Sequence, residues 1–377
     1  MCKVKHVGVV GGGKMGKAIF CHLLKYDIQT SLVTLSGEKV PKLKSEVANC
    51  LRLMAKRGII SAHELEKRNN TMIVTTDLAI LENCDIVIES IVESRESKSS
   101  LLTKIDTIVS ENCLITSNSS SLKPSELSEN MNHPVVGLHF FYPLQTMKIV
   151  EVISSDNMPD TRIGEFLQLI EKEPFYQSEA QPFILNRVFY ELFILGCYYL
   201  EKYRLKPREI DRIITTQLPC PGIFEFADRI GVDLLKICCS QYAKMSLSPD
   251  LAENADTYLG GLGARGYLGR QSGIGFYVYR ENLSNDFFSD YEEFASQEIE
   301  SAITIGMKYG WVNIAKYFAL TGKTSFPVLE DAIKQFFTIN EGPFAIMEKE
   351  GSDTVERMLS VLYKKTGVGI FAPIKDI

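Results

Sequence analysis

His6-Val7-Gly8-Val9-Val10-Gly11-Gly12-Gly13-Lys14-Met15-Gly16 passes from a β-branched run into glycine and then into a helical pattern. Strand, tight turn and helix in that order make the first half of a βαβ unit. Gly11, Gly13 and Gly16 stand at the G-x-G-x-x-G spacing. There the first glycine permits the turn, the second lets backbone N–H groups approach a pyrophosphate, and the third lets the helix pack closely on the sheet. Lys14 and Met15 begin the helix and join the three glycines as candidate contacts to a cofactor. A flexible glycine loop without a ligand is the competing reading. Its place directly after the first strand favours a dinucleotide.

Outward from this turn the alternation continues. Strand candidates are Thr30–Thr34, Met72–Thr75, Asp85–Glu89, Cys113–Ser117, Val135–Leu138 and Met147–Val152, with helical spacing over Lys14–Lys25 and Leu101–Val109. This predicts an α/β, Rossmann-like doubly wound sheet. From about residue 161 the periodicity reads as helices only, through Ile163–Ile170, Val188–Leu200 and Ile210–Ile214. The 377 residues suffice for two or three domains. The expected division is a dinucleotide-binding domain over 1–182, an all-α substrate and dimerisation domain over 183–280, and a linker with a second, degenerate helical repeat over 281–377. The repeat rests on Gly222-Ile223-Phe224 with Gly231-Val232-Asp233, matched 120 positions later by Gly342-Pro343-Phe344 with Gly351-Ser352-Asp353. Two unrelated helix-start turns are the alternative.

Composition excludes several classes. Lys and Arg total 41 against 47 Asp and Glu, for a net charge of −6, so the basic footprint of a nucleic-acid binder is missing. The longest apolar run, Phe189 to Leu200, is too short to span a bilayer. Met1 to His6 carry no apolar signal region, which predicts a cytoplasmic protein. Nine cysteines without a C-x-x-C pair read as core residues rather than a disulfide framework or a metal site.

A dinucleotide site of this kind usually places an acid on the ribose hydroxyls at the end of the second strand. Thr34 stands there instead, with Ser36 and Lys39 beyond it. No carboxylate would repel a 2′-phosphate, so both NAD and NADP stay open, NAD ahead because no arginine follows.

His139 ends an apolar strand in Val135-Val136-Gly137-Leu138-His139-Phe140-Phe141-Tyr142-Pro143, and Glu151 lies in Met147-Lys148-Ile149-Val150-Glu151-Val152. A chain reversal near Gln145, midway between them, would bring the carboxylate opposite the imidazole. Such a pair sets the ring tautomer and leaves the second nitrogen to take a proton from a substrate. A satisfied core histidine is the bland alternative.

At this density of motifs the chain resembles the 3-hydroxyacyl-CoA dehydrogenases, over about residues 5 to 280. Gly137-Leu138-His139-Phe140-Phe141-x-Pro143 and Lys148-Ile149-Val150-Glu151-Val152 are similar to the family's His–Glu segment, and Asn118-Ser119-Ser120-Ser121-Leu122 to its serine loop. Phe183-Ile184-Leu185-Asn186-Arg187 resembles its first C-terminal helix. Gly222-Ile223-Phe224-Glu225-x-x-Asp228 and Gly269-Arg270-x-x-Gly273-x-Gly275-Phe276-Tyr277 resemble its closing motifs. The resemblance implies hydride exchange between a nicotinamide and a 3-hydroxyacyl or 3-oxoacyl thioester. His139 would be the base, Glu151 its support, Ser120 a hydrogen-bond partner of the reacting oxygen, and Asn186 a donor to the substrate oxygen or thioester carbonyl. It further implies that Glu93 and Lys98 lie near the nicotinamide and its ribose, with Asn118 also at the cofactor. Structural roles compete: a turn serine for Ser120, an N-cap for Asn186, solvated helix-start charges for Glu93 and Lys98.

Three residues depart from the family pattern: Tyr142 for Asn, Pro182 for Gly and Thr34 for the acid. Lys42, Lys44, Arg52, Lys56 and Arg57 could meet the phosphates of CoA or of a carrier-protein arm, or form a solvated basic face. The thioester partner is therefore acyl-CoA, with an acyl-carrier-protein substrate as the alternative and a non-catalytic nucleotide-binding relative as the rival outside the enzymes. A homodimer, or a monomer whose second helical repeat mimics the partner, is expected.

Overall fold

The computed structural model describes residues 4–155 and 160–374. Met1–Lys3, read above for targeting, lie outside the described residues, and Cys2 with them. Two compact units divide the chain, Met1–Phe183 and Ile184–Ile377. Residues 281–377 fall within the second.

The first unit carries eight strands: β1 (His6–Val10), β2 (Gln29–Val33), β3 (Ile73–Thr75), β4 (Ile86–Glu89), β5 (Leu114–Ser117), β6 (Val135–Phe140), β7 (Ile149–Ser154) and β8 (Glu173–Ser178). Its helices are α1 (Lys14–Leu23), α2 (Lys39–Lys56), α3 (Ala62–Thr71), α4 (Arg95–Asp106), α5 (Pro124–Leu127) and α6 (Thr161–Leu169). Strand order is β3-β2-β1-β4-β5-β6-β7-β8, parallel throughout except for the β6–β7 pair. The chain leaves β1 toward β2 and β3, then crosses back to β4 on the other side. This reversal puts the glycine turn at the topological switch point, where ligands of open α/β sheets bind. The sheet is covered on both faces because its buried strands alternate between two cores. Val7, Val9 and Ile88 pack with Phe20, Val47 and Phe166, whereas Val10 and Val87 pack with Leu101, Leu102 and Ile105.

β8 corrects the expectation of helices alone beyond residue 161. Within it Phe175 and Gln177 are buried and Tyr176 is exposed, the period-two pattern of a strand with one covered face.

The second unit is helical: α7 (Ile184–Tyr203), α8 (Pro207–Gln217), α9 (Ile223–Ile230), α10 (Val232–Tyr242), α11 (Pro249–Ala264), α12 (Gln297–Thr321), α13 (Phe326–Phe337), α14 (Pro343–Glu350) and α15 (Ser352–Thr366). α7 is buried along most of its length because it is apolar on nearly every face, and it packs against both α11 and α12. The carboxylate of Asp211 accepts from Phe224 N (3.1 Å) and Glu225 N (2.9 Å), satisfying orphan donors at the start of α9. Among the described residues no helix is long and apolar enough to cross a membrane. The eight described cysteines form no disulfide, and six of them are buried.

Candidate active site

The glycine turn has the shape its sequence predicts. Gly11 adopts φ +130°, and a Cβ there would collide with the Ser90 carbonyl oxygen; one at Gly16 would collide with the Gly11 carbonyl. Neither position accepts a side chain, so strand, turn and helix close tightly together. Around Gly13 the space is open, with nothing within 4 Å of an added Cβ. Gly13 caps α1 without a side-chain hydrogen bond, and the first turn holds no acidic residue. The α1 N-terminus thus keeps its N–H groups and its positive end for an anion, which fits the pyrophosphate of a dinucleotide. Lys14 is exposed and its Nζ lies 4.0 Å above the Tyr142 ring; Met15 packs against the core. Thr34 is buried and its N–H donates to Thr75 O (2.9 Å), with its hydroxyl beside Gly12. The strand end therefore presents no carboxylate to the ribose.

At the same carboxyl edge, β6 and β7 form an antiparallel pair in which His139 stands directly opposite Glu151. A reversal midway between them requires this register, as the spacing suggested. Nδ1 of His139 lies 2.7 Å from Glu151 Oε2, and both side chains are buried. A carboxylate oxygen can only accept here, so Nδ1 carries the proton and Nε2 is the unprotonated nitrogen of the neutral ring. Phe141 and Phe183 hold the ring edge-on, at centroid distances of 4.5 and 5.9 Å. The β6–β7 connection is fastened by Lys172, whose Nζ donates to the carbonyls of Leu144 (2.5 Å) and Met147 (2.7 Å). Burial brings the Lys172 ammonium down to about 8.

Asn118 bridges three strand ends: its Oδ1 accepts from Phe140 N (2.9 Å) and its Nδ2 donates to Ser90 Oγ (3.3 Å). The serine loop beyond it is gathered on Glu93. One oxygen, Oε1, accepts from Ser119 Oγ (2.6 Å), Ser120 N (2.9 Å), Ser120 Oγ (3.3 Å) and Ser121 Oγ (2.7 Å). Burial alone would raise the Glu93 carboxyl; Lys98 and these donors outweigh it and hold the group below its ordinary value. Lys98 is fully buried, 3.4 Å from Glu93 and bidentate on Glu89 at 2.8 and 3.0 Å. The solvated reading of these two charges is thereby corrected: Lys98 is the cation of an internal network rather than an exposed helix-start charge. Asn186 lies in the second unit, inside the first turn of α7 and not at its cap.

Sequence reasoning missed Glu89, Ser117 and Gln177. Glu89 accepts from Ile91 N (2.6 Å) and Ser117 Oγ (2.6 Å) besides Lys98. Its one signal was a charge closing an otherwise apolar strand. Gln177 Nε2 donates to Glu151 Oε1 at 2.8 Å, and β8 was not recognised.

A pyrophosphate cradle and a histidine–carboxylate pair on one edge of a doubly wound sheet mark a dinucleotide-dependent dehydrogenase. The chain belongs to the 3-hydroxyacyl-CoA dehydrogenase family: a model of that family's NAD binding domain matches residues 6–175, and a model of its C-terminal domain matches residues 183–279. The mitochondrial hydroxyacyl-coenzyme A dehydrogenase of Homo sapiens is 30% identical over 295 residues, which cover 74% of this chain and 92% of that protein. The structure of 3-hydroxybutyryl-CoA dehydrogenase from Escherichia coli shares the fold over 99% of this chain and 97% of its own, with a TM-score of 0.82 at 21% identity. That of (S)-3-hydroxybutyryl-CoA dehydrogenase from Ralstonia eutropha aligns over 74% of this chain and 100% of its own, with a TM-score of 0.66 at 28% identity. This chain is accordingly an enzyme, an NAD-dependent oxidoreductase of hydroxyacyl-CoA.

Proposed function

We propose that the chain interconverts a 3-hydroxyacyl-CoA and a 3-oxoacyl-CoA with His139 as general base, in the cytoplasm. The contact between His139 Nδ1 and Glu151 Oε2 carries this reading. When bound, NAD supplies the acceptor for the hydride that leaves C3; Gly11, Gly13, Gly16 and the α1 N-terminus would hold its pyrophosphate. Nε2 of His139 takes the proton of the 3-hydroxyl. Glu151 keeps Nδ1 protonated and stabilises the imidazolium that results. Ser120, whose loop is held by Glu93 through its backbone N–H (2.9 Å), turns its hydroxyl from Glu93 to donate to the reacting oxygen, and Asn186 donates to the substrate oxygen or the thioester carbonyl, where negative charge gathers. Asn118 braces the strand ends beside the cofactor. Phe141 and Phe183 keep water from the imidazole.

The test is absorbance at the reduced nicotinamide band with acetoacetyl-CoA and each cofactor, for the wild type and His139→Gln. The variant is expected to bind NADH normally and to lose on the order of 10²–10⁴ in turnover. Turnover left near the wild-type rate would remove His139 from the chemistry. A wild type inert with NAD and NADP, on CoA and carrier-protein thioesters alike, would leave a nucleotide-binding relative.

We further propose that α12 to α15 are a second copy of the α7 to α10 arrangement, folded into the same unit and taking the place of a dimer partner. Several features of the two sets agree at a spacing of 120 residues. Pro207 and Pro327 both open a helix, and Gly222 and Gly342 both cap the next one. Gly231 (φ +109°) and Gly351 (φ +82°) both turn the chain into the last. At a spacing of 119, Glu330 accepts from Gly342 N (2.7 Å) and Phe344 N (3.0 Å), a carboxylate at the start of the next helix as Asp211 is for Phe224 and Glu225.

A further inference from the structure

We infer that Gln177 is a positioning residue of the His139–Glu151 pair, fixing which carboxylate oxygen meets the imidazole. The inference rests on the reading of His139 as the base. β7 and β8 are parallel, with Glu151 opposite Phe175 and Ile153 opposite Gln177. Residues two apart on a strand share a face. Gln177 therefore stands on the side of the sheet to which Glu151 points, one diagonal step away. Across β6, β7 and β8 the row reads His139 Nδ1, then Glu151 Oε2 at 2.7 Å, and on the far oxygen Oε1 the amide Nε2 of Gln177 at 2.8 Å.

All three side chains are buried, with relative exposures of 6%, 0% and 3%. Burying an amide costs free energy unless it is hydrogen-bonded, so packing alone would be served better by an apolar residue at position 177. Its chemistry suits the task. A carboxylate with one oxygen anchored has one orientation instead of two, and a neutral amide anchors it without offering a full positive charge that would compete with the imidazolium. A lysine or arginine at the same place would weaken the hold of Glu151 on His139.

The other charged and titratable groups on elements packed against the pair are occupied, turned away or open to solvent in part. Lys172 is spent on the Leu144 and Met147 carbonyls, Tyr176 lies on the exposed face of β8, Glu173 shares the face of Gln177 but is exposed at the start of the strand, and Glu93 serves the serine loop. Glu126 on α5, which packs over β6, is half-buried, and Glu179 just past β8 accepts from Ser125 N of the same helix (2.8 Å).

Gln177→Met keeps the length of the side chain and removes the donor. In the hydroxyacyl-oxidising direction kcat is expected to fall about 10- to 100-fold, the range for losing a hydrogen bond to a charged group. KM for the thioester and NADH binding should stay within about threefold, since neither contacts Gln177 in this reading. The carboxylate that loses its amide donor pulls harder on the shared proton, so the acid-side midpoint of the kcat/KM profile should rise by about one pH unit. Gln177→Glu, which sets a second negative charge beside Glu151, should move the midpoint further the same way and serves as the test should Gln177→Met not fold. A midpoint unmoved in the folded variant would overturn the role given to Gln177. The base reading fails separately, if His139→Gln keeps its turnover; loss in His139→Gln with none in Gln177→Met condemns Gln177 alone.

Discussion

Lys98 shows how much one side chain can carry at this site. It is enclosed between Glu89 and Glu93, and Glu93 in turn gathers three serines. Replacing Lys98 by Met would leave two neighbouring carboxylates without their cation. Removing one partner of a buried ion network costs about 3–5 kcal/mol, whereas replacing both partners together can be nearly neutral. Thermal unfolding of Lys98→Met is therefore expected to drop on the order of 10 °C, and the double variant Glu89→Gln/Lys98→Met to recover part of the loss. Equal melting of wild type and Lys98→Met would mean the network contributes nothing to stability. Thr34 carries the opposite kind of consequence, through a missing charge. Thr34→Asp places a carboxylate at the end of β2, where it can accept from ribose hydroxyls and repel a 2′-phosphate. Fluorescence titration should show NADPH binding weakened on the order of tenfold or more relative to NADH. Unchanged discrimination would show that the ribose does not approach Thr34.

Between elements, the same physics explains what could be foreseen. The glycine turn and the β6–β7 register were legible because each follows from a local rule: residue spacing around one tight turn, and a reversal midway between two strands. β8 was not. Glu173-Pro174-Phe175-Tyr176-Gln177-Ser178 has two strand formers, a proline that only an edge strand tolerates, and an amphipathic helix just before it. Its strand character comes from pairing with β7, a non-local contact, and Gln177 was hidden with it. The network around Lys98 was hidden for a related reason: Glu93 and Lys98 sit at a helix start, and only Glu89 and Ser117 from neighbouring strands make that start an interior. His22 ties two such elements together. At the end of α1 its Nε2 donates to Ile170 O (2.9 Å), beside Tyr26 OH on the same carbonyl (3.0 Å). Burial lowers this imidazole from 6.5 to about 4. The unfolded chain binds the proton at a higher pH than the folded one, so this group withdraws stability as pH falls from 6.5 toward 4 and none above that window. Urea unfolding at pH 7 and pH 4.5 should include about 2–3 kcal/mol from His22, absent in His22→Gln. An equal pH dependence in the variant would assign the acid loss to other groups.

For the whole molecule, the proposed duplication of the helical arrangement predicts that one chain does what two would otherwise do, but with one substrate site. The position 120 residues after Asn186 is Gly306, and there a Cβ would collide with the hydroxyl of Tyr199 on α7. One turn on, a Cβ at Gly310 would sit 2.7 Å from Leu195 Cδ2. On the proposed duplication, the second copy would lack the side chain that Asn186 offers a substrate, and its glycines instead allow close packing of α12 on α7. Two outcomes follow together. Sedimentation should give the mass of one 42.4 kDa chain, and calorimetric titration with acetoacetyl-CoA should saturate at one thioester per chain. Gly310→Val should lower stability by about 1–3 kcal/mol through overpacking, with no change in the catalytic constants per folded chain, because its neighbours serve the helical unit and not the imidazole. A tight dimer in solution, or two thioesters bound per chain, would contradict the internal partner and return α12 to α15 to an unrelated set of helices.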